Sequence, residues 1–261
     1  MTEFRRPRGL LVDLDGVVYH GDRVIPDAPP FFRFLRQQAI PFLLTTNNST
    51  LGPHQYVEKL AAMDIAVGER EVLASADATA SYLAQQAPAG TRTYVIGEAG
   101  LKSSLEAAGF VLADSDVRYV IVGLDRQLTY QKLTQAVRLI RAGAEFVGPN
   151  PDTTLPMDDG VIPGAGSFQA AISAATGVRP LIIGKPEPTM LLIGCERLGA
   201  SPTDTAIIGD RLDTDIIGGQ RAGLQTLLVL TGVSSLADVE RSDVKPDAIF
   251  PDLTALQAAL T

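Results

Sequence analysis

The strongest constraint on the fold is an alternation of short apolar runs with longer helix-period stretches. Gly9-Leu10-Leu11-Val12 and Pro41-Phe42-Leu43-Leu44 are short and continuously apolar, as strands buried on both faces are. Phe31 to Gln38, His54 to Met63 and Ser75 to Gln86 read as helices. The pattern pauses at Pro88-Ala89-Gly90 and restarts. Strands are then expected at Thr93 to Ile96, Arg118 to Val122 and Glu145 to Val147, with helices at Leu101 to Ala108, Tyr130 to Arg141 and Ser167 to Ala175. Leu181-Ile182-Ile183 opens a third block: helix Thr189 to Leu198, strand Ala206 to Ile208, helix Ile216 to Ala222, strand Thr226 to Leu230. This order predicts an α/β fold with a largely parallel sheet covered by helices on both faces. The breaks divide the chain into a discontinuous domain, 1–87 with 179–261, and an inserted domain, 88–178.

Composition narrows the chemistry. Acidic residues outnumber basic ones by 30 to 22, giving a net charge of −8, and no basic stripe is available to bind nucleic acid. One cysteine and two histidines exclude an intrachain disulfide and a Cys/His zinc cage. Cys195 sits in an apolar run and reads as a packing thiol. After the basic start Arg5-Arg6, the apolar run Leu10 to Val12 is broken by Asp13 and Asp15, too soon for a signal-peptide core. No membrane span is visible. The expectation is a cytoplasmic protein whose chemistry rests on carboxylates, hydroxyls, lysine and a borrowed cofactor.

Four expected strand ends carry polar groups. Asp13 and Asp15 follow the first strand, and at i and i+2 their side chains leave extended backbone on one side. Thr45-Thr46-Asn47-Asn48-Ser49 follows the second. Gly184-Lys185-Pro186 follows Leu181 to Ile183, and Gly209-Asp210-Arg211-Leu212-Asp213-Thr214-Asp215 follows Ala206 to Ile208. Singly, these are turn acids, a cap cluster, a surface lysine and an N-cap at Asp215. Together at one sheet edge, where open α/β sheets bind ligands, they make a site for a hard cation such as Mg²⁺ and a phosphate.

The ordered set resembles the haloacid dehalogenase-like hydrolase superfamily. Asp13-Leu14-Asp15-Gly16-Val17 is similar to its first motif, Thr46-Asn47 to its second, Lys185 to its third, and Gly209-Asp210 with Asp215 to its fourth. Gly123-Leu124-Asp125, Asn150-Pro151-Asp152 and Pro163-Gly164-Ala165-Gly166 resemble the NagD-like branch, subfamily IIA, which includes nitrophenyl and pyridoxal phosphate phosphatases. That implies a Rossmann-like core with an inserted α/β cap of the C2 type. Gly148-Pro149 departs from the residues usual before Asn150.

The resemblance implies a Mg²⁺-dependent phosphatase of small phosphorylated metabolites, acting through an aspartyl-phosphate. Asp13 would be the nucleophile and Asp15 the general acid and base. Asp13, the backbone carbonyl of Asp15 and Asp210 would hold Mg²⁺. Thr46, Asn47 and Lys185 would bind the phosphate, with Thr46 and Lys185 in the catalytic set. Asp215, with Asp213 as the alternative, would orient Lys185 or metal-bound water. The cap loop Asn150 to Gly166, with Asp152, Asp158 and Asp159, would contact the leaving group or else be a structural loop. His20 would lie near the nucleophile and His54 on a surface helix. A homodimer through the cap is implied by the branch. A phosphometabolite-binding protein without turnover and a phosphotransferase using the same intermediate are the competing functions. Sugar phosphates, nucleotides, phosphoglycolate and pyridoxal phosphate all fit as substrates.

Overall fold

The computed structural model describes residues 4–157 and 160–261; Asp158 and Asp159 lie outside the described residues. The chain forms two compact units: Met1–Thr46, Pro53–Leu73 and Lys185–Thr261 in one, Asn47–Gly52 and Ala74–Gly184 in the other.

The first unit is built on a six-stranded sheet ordered Ala248–Phe250, Gln225–Val229, Thr205–Gly209, Gly9–Asp13, Phe42–Thr46, Val72–Ala74. Gly9–Asp13 pairs in parallel with both of its neighbours. Leu10, Leu11, Val12, Leu44, Ile207 and Ile208 are fully buried, because helices such as Thr189–Leu198 and Ala28–Gln37 cover the sheet. Burial on both faces is why these strands lack polar alternation. The chain runs outward in one direction from Gly9–Asp13 to Phe42–Thr46 and returns on the other side through Thr205–Gly209. That reversal is a topological switch point, the place where such sheets open a crevice.

The second unit has a five-stranded parallel sheet ordered Leu181–Ile182, Glu145–Gly148, Tyr119–Val122, Arg92–Ile96, Val111–Leu112. Ile96, Val120, Val122, Ala136, Phe146 and Ile172 form its core, joined by helices Tyr130–Arg141 and Ala165–Thr176. The fold is thus a Rossmann-like core with an inserted α/β cap.

The units divide the chain differently from the expected 88–178. Helix Ser75–Gln86 packs on Ala99–Ala107, and Leu181 pairs with Val147. Leu181–Ile182 therefore does not belong to the core sheet, and Lys185 does not follow a strand of it. An apolar run specifies a strand but not which sheet takes its hydrogen bonds. Val72–Ala74 and Ala248–Phe250 are also strands, too short to show a period. No helix among the described residues is long and apolar enough to cross a membrane.

Candidate active site

Strand register brings the first acids together. Asp13 stands opposite Thr45, and Val12 stands opposite Ile208. Asp13 is therefore level with Gly209; Asp210 lies one residue beyond it, and Thr46 one beyond Thr45. Carboxylate oxygens of Asp13, Asp210 and Asp215 lie within 4.8 Å of one another, and all three residues are buried. Buried Lys185 donates from Nζ to Asp13 Oδ1 at 2.5 Å and to Asp215 Oδ1 at 2.6 Å.

Asp215 reaches the cluster because the chain after Asp210 winds wide. Leu212–Ile216 is a π-helical turn running into helix Ile217–Ala222, and Ile216 N–H donates to the Arg211 carbonyl at 3.2 Å. Such turns recur at functional sites. Asp215 is inside this turn, so the N-cap alternative does not hold. Its Oδ2 accepts from Arg211 N–H at 3.2 Å and Thr214 Oγ1 at 3.4 Å. Gly209 admits it: a Cβ there would stand 2.2 Å from Asp215 Cβ. Asp213 points elsewhere, exposed and paired with Arg211 at 2.8 Å.

Asp210 shows the fit to a cation most directly. Its Oδ2 accepts from Val233 N–H at 2.7 Å, whereas its buried Oδ1 has no hydrogen-bond partner among the described residues. Gly16, at φ +81°, leaves no room between itself and Asp210: a Cβ would meet Oδ2 at 2.3 Å. Burial and the Asp215 charge push the Asp210 carboxyl up to about 7. Burial likewise raises Asp13, against the pull of Lys185 and with the push of Asp215 and Asp210. Burial opposes charge on Lys185, but Asp13 and Asp215 outweigh it and hold the ammonium protonated. Three buried carboxylates thus face one ammonium. An unpartnered oxygen in an all-oxygen donor set suits a hard divalent cation.

Asp15 stands outside that cluster. It bridges to Tyr19 at the base of the hairpin Tyr19–His20 and Arg23–Val24. Its side chain reaches solvent, yet enough protein surrounds it for desolvation to raise its carboxyl, with Lys59, Lys185 and His20 pulling it down. Lys59 lies over the Tyr19 ring, 4.0 Å from its centroid. Thr46 is buried at its strand end. Asn47 begins the second unit, where its amide donates to Asp152 at 3.3 and 3.4 Å. His20 is exposed, His54 faces Glu58 and Glu69 on the surface, and Cys195 is buried in its helix. The expected motifs leave out the loop Thr231 to Ser234, which bonds to Asp210 and Gly16; a Thr-Gly pair just past an apolar strand is its signal in the sequence.

A family model described as haloacid dehalogenase-like hydrolase matches residues 10–111, and one described as HAD-hydrolase-like matches 182–256. The chain is 43% identical over 254 residues to the acid sugar phosphatase of Staphylococcus aureus (strain USA300), covering 97% of this chain and 98% of that protein. The structure of p-nitrophenyl phosphatase from Archaeoglobus fulgidus superposes with a TM-score of 0.94 at 31% identity, covering 98% of this chain and 100% of the other. NagD from E. coli K-12 superposes with a TM-score of 0.89 at 33% identity over 97% and 98%. Motif order, sheet topology and whole-length similarity agree that this chain belongs to the haloacid dehalogenase-like hydrolases, in the NagD-like branch, and is a phosphoric monoester hydrolase.

Proposed function

We propose that this chain is a Mg²⁺-dependent phosphatase that hydrolyses small phosphorylated metabolites, phosphorylated sugars foremost, through an aspartyl-phosphate on Asp13. One observation carries this reading. Asp210 Oδ1 is buried and unpartnered among the described residues, beside Asp13 and Asp215. Asp13, the backbone carbonyl of Asp15 and Asp210 would hold the ion. Mg²⁺ there would neutralise charge on the phosphoryl oxygens and the attacking carboxylate.

The residues divide the remaining work. Lys185, fixed between Asp13 and Asp215, orients the nucleophile and offers positive charge to the phosphoryl group. An Asp13 carboxylate oxygen forms a bond to phosphorus as the ester P–O bond breaks. Asp15 gives its proton to the leaving oxygen, then accepts one from the water that attacks the aspartyl-phosphate. That releases orthophosphate and restores Asp13. The raised Asp15 carboxyl supports the first step, because a proton must be present to be given. Thr46 and the Asn47 backbone are assigned to the phosphate oxygens. The name of the S. aureus relative favours sugar phosphates.

Orthophosphate release from p-nitrophenyl phosphate and a panel of sugar phosphates, in EDTA and after Mg²⁺ is restored, tests the reading. Release that EDTA stops and Mg²⁺ restores is expected. Binding of a sugar phosphate without release at any pH would instead establish a binder. Products formed with added alcohols separate hydrolysis from phosphotransfer.

A further inference from the structure

The segment after strand Gln225–Val229 belongs to none of the expected motifs, yet it meets the acid cluster from the Asp210 side. Val233 N–H donates to Asp210 Oδ2 at 2.7 Å. Ser234 N–H donates to the Asp210 backbone carbonyl at 3.0 Å. The Ser234 hydroxyl oxygen accepts from Leu212 N–H at 3.1 Å, at the mouth of the π turn. Thr231 Oγ1 donates to the Gly16 carbonyl at 2.7 Å. A Cβ at Gly232 would stand 2.0 Å from Asp210 Oδ2.

The Val233 side chain is 69% exposed while Ser234 is buried. Hydrophobic burial therefore does not hold the Val233 end of this loop; directional polar contacts do. They also fix rotation about the Asp210 side chain. With Oδ2 fastened to Val233 and crowded by Gly16 and Gly232, Oδ1 is the oxygen left to face a ligand.

We propose that Thr231 to Ser234 is a positioning loop for the metal. It locks the Asp210 carboxylate so that Oδ1 is presented, and it ties the Asp15–Gly16 turn to the same frame through Thr231. Thr231 and Ser234 are positioning residues that act through Gly16, Asp210 and Leu212. The inference rests on the reading of Asp210 as a Mg²⁺ ligand. Groups that orient metal ligands typically control affinity by roughly 10–100-fold.

Calorimetric Mg²⁺ titration of the full chain tests it, beside melting in EDTA and kcat at saturating Mg²⁺. Thr231→Val and Ser234→Ala should each weaken Mg²⁺ binding roughly tenfold, by more than they lower kcat and without lowering the melting temperature in EDTA to match. Gly232→Ala should lose the most affinity. Thr231→Ser, which keeps the hydroxyl, should restore binding. Parent-like affinity in Thr231→Val and Ser234→Ala overturns the proposal, as does a Thr231→Ser variant as weak as Thr231→Val. Asp210→Asn separates the two levels. If it binds Mg²⁺ like the parent, the ligand reading fails and the loop's role with it. If it loses Mg²⁺ while the loop variants keep it, only the loop's role fails.

Discussion

Both units bury carboxylates, but they treat them differently. In the second unit, buried Asp125 takes Lys132 Nζ at 2.6 Å on one oxygen and Gln127 N–H at 2.9 Å on the other. Asn150 donates to the Asn47 carbonyl at 2.6 Å and accepts from Asp152 N–H at 3.2 Å. Gln169 bridges the carbonyls of Val122 and Asn150 at 2.8 and 2.9 Å. Gly164 and Gly166 lie so close to this segment that a Cβ would come within 2.2 Å of the Asp152 carbonyl oxygen and 2.1 Å of that of Pro151. These carboxylate and amide groups are satisfied, as buried polar groups in architecture usually are, although the Ser49, Thr93 and Tyr119 hydroxyls of the same unit have no hydrogen-bond partner among the described residues. In the first unit, Asp13, Asp210 and Asp215 crowd together, Asp210 Oδ1 has no hydrogen-bond partner among the described residues, and two carboxyls are driven upward. Satisfied polar burial holds a shape; unmatched charge in a buried cluster marks chemistry.

Three substitutions can break or sharpen this contrast. Asp13→Asn removes the proposed nucleophile and should lower phosphate release by roughly 10³-fold or more, about 4 kcal/mol of transition-state stabilisation. Its circular dichroism spectrum should stay that of the parent. Near-parental turnover of an aryl phosphate by this variant would end the nucleophile assignment.

A second, intermediate effect concerns pH. Burial pushes the Asp210 carboxyl up to about 7 in the folded chain, against 3.8 as its ordinary value. Between those values the folded chain keeps a proton that the unfolded chain has released. Stability without Mg²⁺ should therefore fall as pH rises across that window. Asp210→Asn should flatten the fall, and added Mg²⁺ should raise the parent's melting temperature more above the window than below it. A parent whose Mg²⁺-free melting temperature climbs steadily through that range would contradict the burial argument.

The smallest effect lies in the second unit. Asp125→Asn weakens a satisfied pair whose lysine is partly exposed, so denaturant unfolding should show a loss of about 1–2 kcal/mol. The Mg²⁺ titration should not move. If Asp125→Asn instead changed Mg²⁺ affinity, the division between shape-holding and chemical burial would be wrong for this chain.

The alternation of apolar runs made the α/β class legible, and long periodic helices such as Tyr130–Arg141 and Thr189–Leu198 were legible to the residue. Asp13, Lys185 and Asp210 were legible because each stands at the end of a short apolar run, with glycine or proline flanking Lys185 and Asp210. Asp215 was ambiguous. A carboxylate before a helix-period stretch looks like a cap, and only the π turn carries it inward. Leu181–Ile182 was assigned to the wrong sheet, because side-chain pattern does not encode a hydrogen-bond partner.

By itself, the sequence determined which residue types could do chemistry here. With two histidines and one cysteine, carboxylates and a lysine had to serve. It also determined their order along strands whose apolar character requires burial on both faces. The tertiary structure alone decided which carboxylate oxygens are satisfied and which is not. Thr231, Val233 and Ser234 approach Asp210 and Gly16 from distant positions in the chain, and backbone donors carry no side-chain signature. Register and loop closure, not residue type, leave Asp210 Oδ1 buried without a hydrogen-bond partner among the described residues.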